Sequence, residues 1–129
     1  MRILLDTQCW LWMHAAPERL SPTARRLVTD PSNELLLSAV SAWEIAIKSA
    51  LGRLRLPEPV AEYVTSRVAG GGVRPLPVEH AHALRVADLP LNHRDPFDRL
   101  LIAQAQVEGL PILTADRQFR SYKVKLLRA

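Results

Sequence analysis

Three short apolar runs, separated by segments of helical pattern, constrain the fold of this chain more than any other feature. The runs occupy residues 3–5, 35–37 and 111–114. Each run is continuous rather than alternating, as is typical of strands buried on both faces of a sheet. Strands that alternate with helices form βαβ units, so their sheet is parallel and covered on both sides. The pattern predicts an α/β fold of three layers, with a central, mostly parallel sheet between helices.

Local start and stop signals place the remaining elements. Gly52 and Gly109 follow helical segments at the position that commonly ends a helix. Pro75 and Pro77 favour an edge position for the strand that contains them. The predicted helices span residues 7–15, 22–30, 41–51, 57–69, 79–87 and 96–108, and the two further strands span 73–78 and 124–127.

Length and composition exclude several classes of protein. With 129 residues, the chain has room for one domain, residues 1–129. No apolar run approaches the roughly 18 residues of a membrane span. Asp6 interrupts the apolar run at residues 3–5, which makes it too short for the hydrophobic region of a signal peptide. Cys9 is the single cysteine, so no disulfide within the chain is possible. We therefore expect a cytoplasmic protein without a membrane segment.

The charge balance is basic but indecisive. Seventeen Lys and Arg oppose 13 Asp and Glu, giving a net charge of +4. Most of the cations are arginine, which binds phosphate in a bidentate manner. A nucleic-acid partner is one interpretation, and the coding bias of the source genome is another; the charge alone does not decide between them.

Four acidic residues follow predicted strands at the same end. Asp6 directly follows the first strand, and Asp116 comes two residues after the strand that ends at Thr114. Glu44 and Asp98 are expected in the first turns of helices. The carboxyl ends of parallel strands form the ligand-binding edge of a sheet, where clustered carboxylates need a cation to offset repulsion and desolvation. The pattern predicts a site for Mg²⁺, or for Mn²⁺.

Each of these acids also has a purely structural interpretation. Glu44 stands three residues after Ser41, which is the spacing of a helix capping box. Asp6 could cap the helix over residues 7–15, and Asp98 would favour the dipole of its own helix. Asp116 could be a turn residue. The joint placement of all four favours the metal site.

Asp95 and Asp98 compete for one role. Asp95 directly precedes Pro96, so it is the expected N-cap, with Asp98 at the third helical position. An N-cap side chain is occupied by backbone N–H groups, whereas the third position is free to face a cleft. We expect Asp98 to be the ligand and Asp95 to act indirectly.

Several other polar and aromatic residues lie near the acids. Lys48 is one helical turn after Glu44 and is expected to pair with it. His93 closely precedes Asp95 and could face the site, but a solvated loop residue is the favoured interpretation. The arginines that flank the acids are candidates either to bind phosphates or to balance charge: Arg94, Arg99 and Arg117. The tryptophans lie in apolar helical patterns and are expected in the core: Trp10, Trp12 and Trp43.

The segments that carry the acids resemble those of the PIN-domain ribonucleases, and among these the VapC-type toxins of bacterial toxin–antitoxin pairs. The matching segments are residues 4–7, 41–48, 52–57, 93–99 and 109–116. They occur in the order of the family and cover nearly the whole chain. The resemblance implies a PIN-like nuclease domain in which Thr7 and Thr114 accompany an acidic quartet, Asp6, Glu44, Asp98 and Asp116, that holds Mg²⁺ or Mn²⁺.

The resemblance also implies an activity and partners. The chain is expected to be a hydrolase, an endoribonuclease toxin that cuts single-stranded or looped RNA such as tRNA. It is expected to form a homodimer and to be silenced by a cognate antitoxin that covers the acidic cleft. Because water would be the nucleophile, the expected products carry 5′-phosphate and 3′-hydroxyl ends.

Other protein classes are less consistent with the motifs. A haloacid-dehalogenase-type phosphatase needs two acids after its first strand, whereas Asp6-Thr7-Gln8 offers one. Response-regulator receivers need an acidic pair that is missing. The remaining alternative is a non-catalytic PIN-like binding module that acts in complex with a DNA-binding partner, and the intact quartet argues against it.

Overall fold

The computed structural model describes residues 1–129, which form five strands and six α-helices. The strands are β1 (Arg2–Leu5), β2 (Glu34–Ser38), β3 (Val73–Leu76), β4 (Ile112–Thr114) and β5 (Leu126–Arg128). The helices are α1 (Thr7–Ala15), α2 (Pro22–Thr29), α3 (Ala39–Ala50), α4 (Val60–Gly70), α5 (His80–Arg85) and α6 (Pro96–Glu108). Short 3-10 turns span Pro17–Arg19, Val86–Asp88 and Arg117–Ser121. None of the helices has both the length and the apolar character needed to cross a bilayer.

All five strands form one sheet in the order β3-β2-β1-β4-β5, and every neighbouring pair is parallel. Ile3 of β1 is in register with Leu35 of β2, and Leu4 with Ile112 of β4. The chain builds the sheet outward from β1 to β3 and then returns to the other side of β1. This reversal makes the carboxyl ends of β1 and β4 the switch point of the sheet, where α/β proteins bind ligands.

Successive side chains of the central strands enter two separate cores. Ile3 and Leu5 pack with Trp10 on the side covered by α1, α2 and α4. Leu4 packs with Leu101 on the side covered by α6. Because both faces are covered, these strands need apolar residues at every position. The predicted three-layer arrangement with a parallel sheet is confirmed.

Helix α3 begins two residues earlier than predicted. Its N-cap is Ser38, the last residue of β2, whose Oγ accepts a hydrogen bond from the Val40 backbone N at 3.0 Å. The prediction chose the later serine, Ser41, which lies within the helix and is fully buried. Glu44 therefore lies in the second turn rather than the first, and Ser41 cannot form a capping box with it.

The tryptophans do not all enter the core. Trp10 is fully buried and Trp12 packs against the same core, as expected. Trp43 is 51% exposed, so its assignment to the core is wrong. Its ring packs edge-on against Phe97 with 4.7 Å between centroids, which joins the outer surface of α3 to the first turn of α6.

The glycines at the ends of helices α4 and α6 offer a matched stability test. Gly109 follows α6 with φ of 66°, in the left-handed region that disfavours a Cβ, whereas Gly70 is the last residue of α4 and has open space where a Cβ would lie. Gly109→Ala is expected to lower the free energy of unfolding by about 1 kcal/mol. Gly70→Ala should raise it by about 0.5 kcal/mol. Urea unfolding measures both, and an equal effect of the two changes would contradict this assignment.

Candidate active site

A pocket of about 450 Å³ lies at the switch point between β1 and β4. Its walls carry five carboxylates and two cationic side chains: Asp6, Glu44, Asp95, Asp98 and Asp116, with Lys48 and Arg53. The four acids expected at one edge of the sheet thus line one pocket. Three of them, Asp6, Glu44 and Asp98, are at most 9% exposed, so their charges are poorly solvated.

Asp6 occupies the floor of the pocket, where β1 ends. Its Oδ2 accepts a hydrogen bond from Thr114 Oγ1 at 2.7 Å, across the β1–β4 junction. Asp6 is the N-cap residue of α1 by position, as its structural interpretation predicted, but its side chain makes no capping hydrogen bond. Burial raises the pKa of Asp6 to about 6, although the Thr114 hydrogen bond opposes the shift and the nearby Glu44 charge adds to it.

Glu44 is buried with one carboxylate oxygen unpaired. Lys48, one turn later on α3, pairs with its Oε2, as predicted. The other oxygen, Oε1, is buried and has no hydrogen-bond donor. A buried carboxylate oxygen without a partner is costly, so this atom is an open position for a cation.

The Asp95–Pro96 motif starts α6 as predicted. Asp95 is the N-cap, and its Oδ1 accepts hydrogen bonds from the backbone N of Phe97 at 2.9 Å and of Asp98 at 3.1 Å. Asp98 is the third helical residue and faces the pocket. Burial, followed by repulsion from Asp95 and Asp6, raises the pKa of Asp98 to about 8. This carboxyl group therefore holds its proton to a higher pH than a solvated aspartate does, and a bound cation would oppose that shift.

Asp116 is exposed at the rim of the pocket. Its Oδ1 accepts a hydrogen bond from the Gln118 backbone N at 2.9 Å, so it does cap the following 3-10 turn, as its structural interpretation predicted. Its own backbone N donates to Thr114 Oγ1 at 3.0 Å. Thr114 therefore ties Asp116 to Asp6 and fixes their relative positions.

Thr7 joins two walls of the pocket. Its Oγ1 donates to Ser41 Oγ at 2.8 Å, and both residues are buried. The bond connects the start of α1 with α3 below Glu44. Thr7 thus holds the two walls together and adds no charge to the site. Ser41 has the same supporting role, which the sequence did not indicate because its spacing to Glu44 suggested a capping box.

The three flanking arginines have different environments. Arg99 is 8% exposed, and its Nη1 donates to Pro90 O at 2.7 Å and to Tyr122 Oη at 3.2 Å. It cannot reach a phosphate from there, so only an indirect role remains. Arg94 is exposed and lies outside the pocket lining. Arg117 is exposed and borders an adjoining cavity that also contains Asp116.

His93 contradicts its interpretation as a solvated loop residue. Its side chain is 9% exposed, with Nε2 3.5 Å from Asp98 Oδ2. On the other side of the ring, Nδ1 lies 2.8 Å from Tyr122 Oη. Only its position two residues before Asp95 hinted that it could face the site. Tyr122 carried no such signal, since it is 29 residues away in sequence.

The residues of the pocket fit a hard divalent cation. No three acidic, histidine or cysteine side chains lie close enough together in this conformation to hold a metal ion. Like charges repel one another, and Glu44 is paired with Lys48. Carboxylate oxygens are the donors that Mg²⁺ and Mn²⁺ prefer, and the unpaired Glu44 Oε1 is one such donor already buried.

This chain is similar in sequence to one protein family and to two known ribonucleases. The model of the PIN domain family matches residues 3–125 of this chain. Ribonuclease VapC22 of Mycobacterium tuberculosis (strain ATCC 25618 / H37Rv) is 31% identical over 122 residues, covering 94% of this chain and 92% of that protein. Ribonuclease VapC16 of the same strain is 55% identical over 58 residues. That second match spans 45% of this chain and less than half, 41%, of VapC16.

Solved structures share the fold at low sequence identity. The VapBC2 complex of Rickettsia felis, bound to a DNA fragment from its promoter, contains a chain that superimposes with a TM-score of 0.73 at 13% identity. The match covers 99% of this chain and 98% of that chain. A chain of the DNA-bound VapBC of Salmonella typhimurium gives a TM-score of 0.68 at 16% identity, with the same coverage of both chains.

Proposed function

Since the chain belongs to the PIN domain family, we propose that it is a metal-dependent endoribonuclease and the toxin of a toxin–antitoxin pair. The observation that carries the proposal is the pocket at the β1–β4 switch point, which Asp6, Glu44, Asp98 and Asp116 all line and where Glu44 Oε1 is buried without a donor. The two relatives named as ribonucleases support it. Residues 1–129 would act as one nuclease domain.

The site residues divide the chemistry among them. Asp6, Glu44, Asp98 and Asp116 would hold Mg²⁺ or Mn²⁺ through carboxylate oxygens. When bound, the ion would lower the pKa of a coordinated water molecule and stabilise the negative charge that develops on the phosphoryl oxygens. Thr114 orients Asp6 and Asp116 through its hydroxyl.

Lys48 and Arg53 add positive charge to the wall of the pocket. In the metal-free protein the Lys48 ammonium pairs with Glu44 Oε2. Because a cation would bind the other oxygen, Oε1, Lys48 can keep this pair. With Arg53 it would give the pocket wall positive charge that attracts the RNA backbone.

The substrate and partners belong to the same proposal. We expect single-stranded or looped RNA, such as tRNA, because an open pocket admits a strand but not the interior of a duplex. A cognate antitoxin is supported by the VapBC complexes among the similar structures. Three exposed apolar residues, Trp43 and Ile47 on α3 and Leu51 just after it, are available to an antitoxin or to a second copy in a homodimer.

The test is RNA cleavage by the purified chain in Mg²⁺ or Mn²⁺, compared with Asp6→Asn and with an EDTA control. The parent should cut RNA only with metal and leave 5′-phosphate and 3′-hydroxyl ends. Asp6→Asn should be at least about a hundredfold slower, because the neutral amide cannot replace a charged oxygen ligand. Circular dichroism establishes that the variant is folded.

Three results would count against the nuclease proposal. Products with 2′,3′-cyclic phosphates would show attack by the ribose 2′-hydroxyl rather than by water. Cleavage that persists in EDTA would remove the metal from the mechanism. If neither protein cuts RNA while the parent still binds an antitoxin, the chain is a binding module instead, the alternative that the intact quartet does not favour.

A further inference from the structure

We infer that His93 is a positioning residue for Asp98, held by Tyr122 and Arg99 in the form that presents an N–H to the Asp98 carboxylate. The inference goes beyond the quartet itself and rests on the proposed role of Asp98 as a metal ligand. It concerns residues from three parts of the chain: the loop before α6, α6 itself and the segment after the last 3-10 turn.

The arrangement begins at the buried guanidinium of Arg99. Its Nη1 donates to Pro90 O at 2.7 Å and to Tyr122 Oη at 3.2 Å, and its Nη2 lies 3.4 Å from Val86 O. Two carbonyls and one hydroxyl thus fix the guanidinium on the inner side of α6. Because arginine has no acceptor atom, Tyr122 Oη can only accept from it.

The next link fixes the state of the imidazole. The hydroxyl hydrogen of Tyr122 has one acceptor within reach, His93 Nδ1 at 2.8 Å. A neutral imidazole whose Nδ1 accepts must carry its hydrogen on Nε2. A protonated imidazole carries hydrogens on both nitrogens. With Tyr122 as the donor to a neutral ring, or with a protonated ring, the nitrogen that faces Asp98 therefore bears a hydrogen.

Two aromatic side chains pack against the imidazole ring of His93. It packs against Tyr122 at 5.3 Å and against Phe119 at 6.4 Å between centroids. His93 Nε2 is buried and makes no hydrogen bond. The acceptor that faces it is Asp98 Oδ2 at 3.5 Å.

A distance of 3.5 Å is longer than an N–H···O hydrogen bond. Such contacts are often long in an enzyme without its ligands and shorten when the site is assembled. A shift of about 0.5 Å by the Asp98 carboxylate would bring its Oδ2 within hydrogen-bond distance of His93 Nε2. The bond would hold one Asp98 oxygen toward His93 and leave the other for the cation, as carboxylate ligands in metal sites are commonly held.

The test combines His93→Leu, His93→Gln and Tyr122→Phe with Mn²⁺ binding measured by calorimetry. His93→Leu should weaken Mn²⁺ binding by about tenfold, in the range typical of residues that orient metal ligands. His93→Gln should retain most of the affinity, because its side-chain amide can place an N–H near the position of Nε2. Tyr122→Phe should also weaken binding, although Tyr122 does not touch the pocket.

The matched control is Tyr63→Phe, which removes the hydroxyl of another buried tyrosine, in the opposite core. It should leave Mn²⁺ affinity unchanged. In ¹⁵N NMR spectra, the parent and Tyr63→Phe should show His93 with a hydrogen on Nε2, while Tyr122→Phe should shift the ring toward the form with a hydrogen on Nδ1. A purely structural role for Tyr122 would not move this signal.

The inference is overturned if His93→Leu binds Mn²⁺ as tightly as the parent, or if His93 carries its hydrogen on Nδ1 alone. Equal losses of Mn²⁺ affinity in His93→Leu and His93→Gln would also overturn it, because an N–H donor at this position would then have no effect on metal binding. Failure of the nuclease proposal is separate: a parent that cuts no RNA but shows this pattern of Mn²⁺ affinities keeps the inference. A parent that binds no Mn²⁺ overturns both.

Discussion

Asp98→Asn is expected to slow metal-dependent RNA cleavage by about a thousandfold, equivalent to roughly 4 kcal/mol of transition-state stabilisation. The substitution keeps the shape of the side chain but removes the negative charge at the centre of the acidic pocket. Single-turnover cleavage of a labelled RNA, at saturating Mg²⁺ or Mn²⁺, measures the loss.

The same substitution should make the metal-free protein more stable. Burial and repulsion from Asp95 and Asp6 raise the pKa of Asp98 to about 8, so its ionised form is unfavourable in the folded state. Asparagine is never ionised. We expect Asp98→Asn to gain about 1 to 3 kcal/mol in free energy of unfolding at alkaline pH, measured by urea unfolding in EDTA.

Asp95→Asn is the matched control for this prediction. Asparagine caps a helix about as well as aspartate, and the Asp95 side chain is already occupied by two backbone N–H groups. Cleavage should fall by less than about tenfold. If Asp95→Asn abolished cleavage while Asp98→Asn spared it, the two residues would exchange roles and the assignment of the quartet would be wrong.

The affinity for Mn²⁺ is expected to rise by about tenfold or more from pH 6 to pH 8. Metal binding must displace the protons held by Asp98, whose pKa is about 8, and by Asp6, whose pKa is about 6. Calorimetry at several pH values gives the affinity, and repetition in buffers of different ionisation enthalpy gives the number of protons released. An affinity that does not change across this range would contradict the raised pKa of Asp98.

The stability of the metal-free protein should change in the opposite direction. Both pKa values are raised above their unfolded values near 3.8, so in this window the folded state binds more protons than the unfolded state. The contribution of these groups to stability is therefore lost as pH rises from about 4 to about 8. Excess Mn²⁺ should reverse the trend, because it replaces the protons. In EDTA, Asp98→Asn should show a weaker dependence on pH than the parent.

The sheet and the position of its acids could be predicted because both depend on local patterns. Continuous apolar runs identify strands covered on both faces, and Leu4 and Leu36 do enter the core opposite to that of their neighbours. Asp6 and Asp116 follow strands that the fold places side by side. The Asp95-Pro96 pair has an unambiguous capping geometry.

Features that depend on tertiary contacts could not be predicted in this way. Both Ser38 and Ser41 are suitable N-cap residues in the sequence. Ser38 is the N-cap in the structure because β2 ends there, which the sequence pattern alone does not show. Trp43 lies in an apolar helical pattern that does not reveal which side faces solvent. Tyr122 enters the site through the pairing of distant segments, so no spacing between it and His93 could have indicated the contact.

The hydrogen bond from Thr114 to Asp6 joins residues 108 positions apart, which sets an order of events during synthesis of the chain. Asp6 is synthesised 108 residues before Thr114, so β4 and Asp116 follow β1 only after a long intervening segment has been made. Until then, β1 lacks one of its two neighbours, and the pocket lacks an entire wall. Contacts of such long range form late and slowly. A chain that stops before β4 therefore has no assembled acidic site, so the proposed nuclease would gain its activity only when synthesis has passed β4 and Asp116.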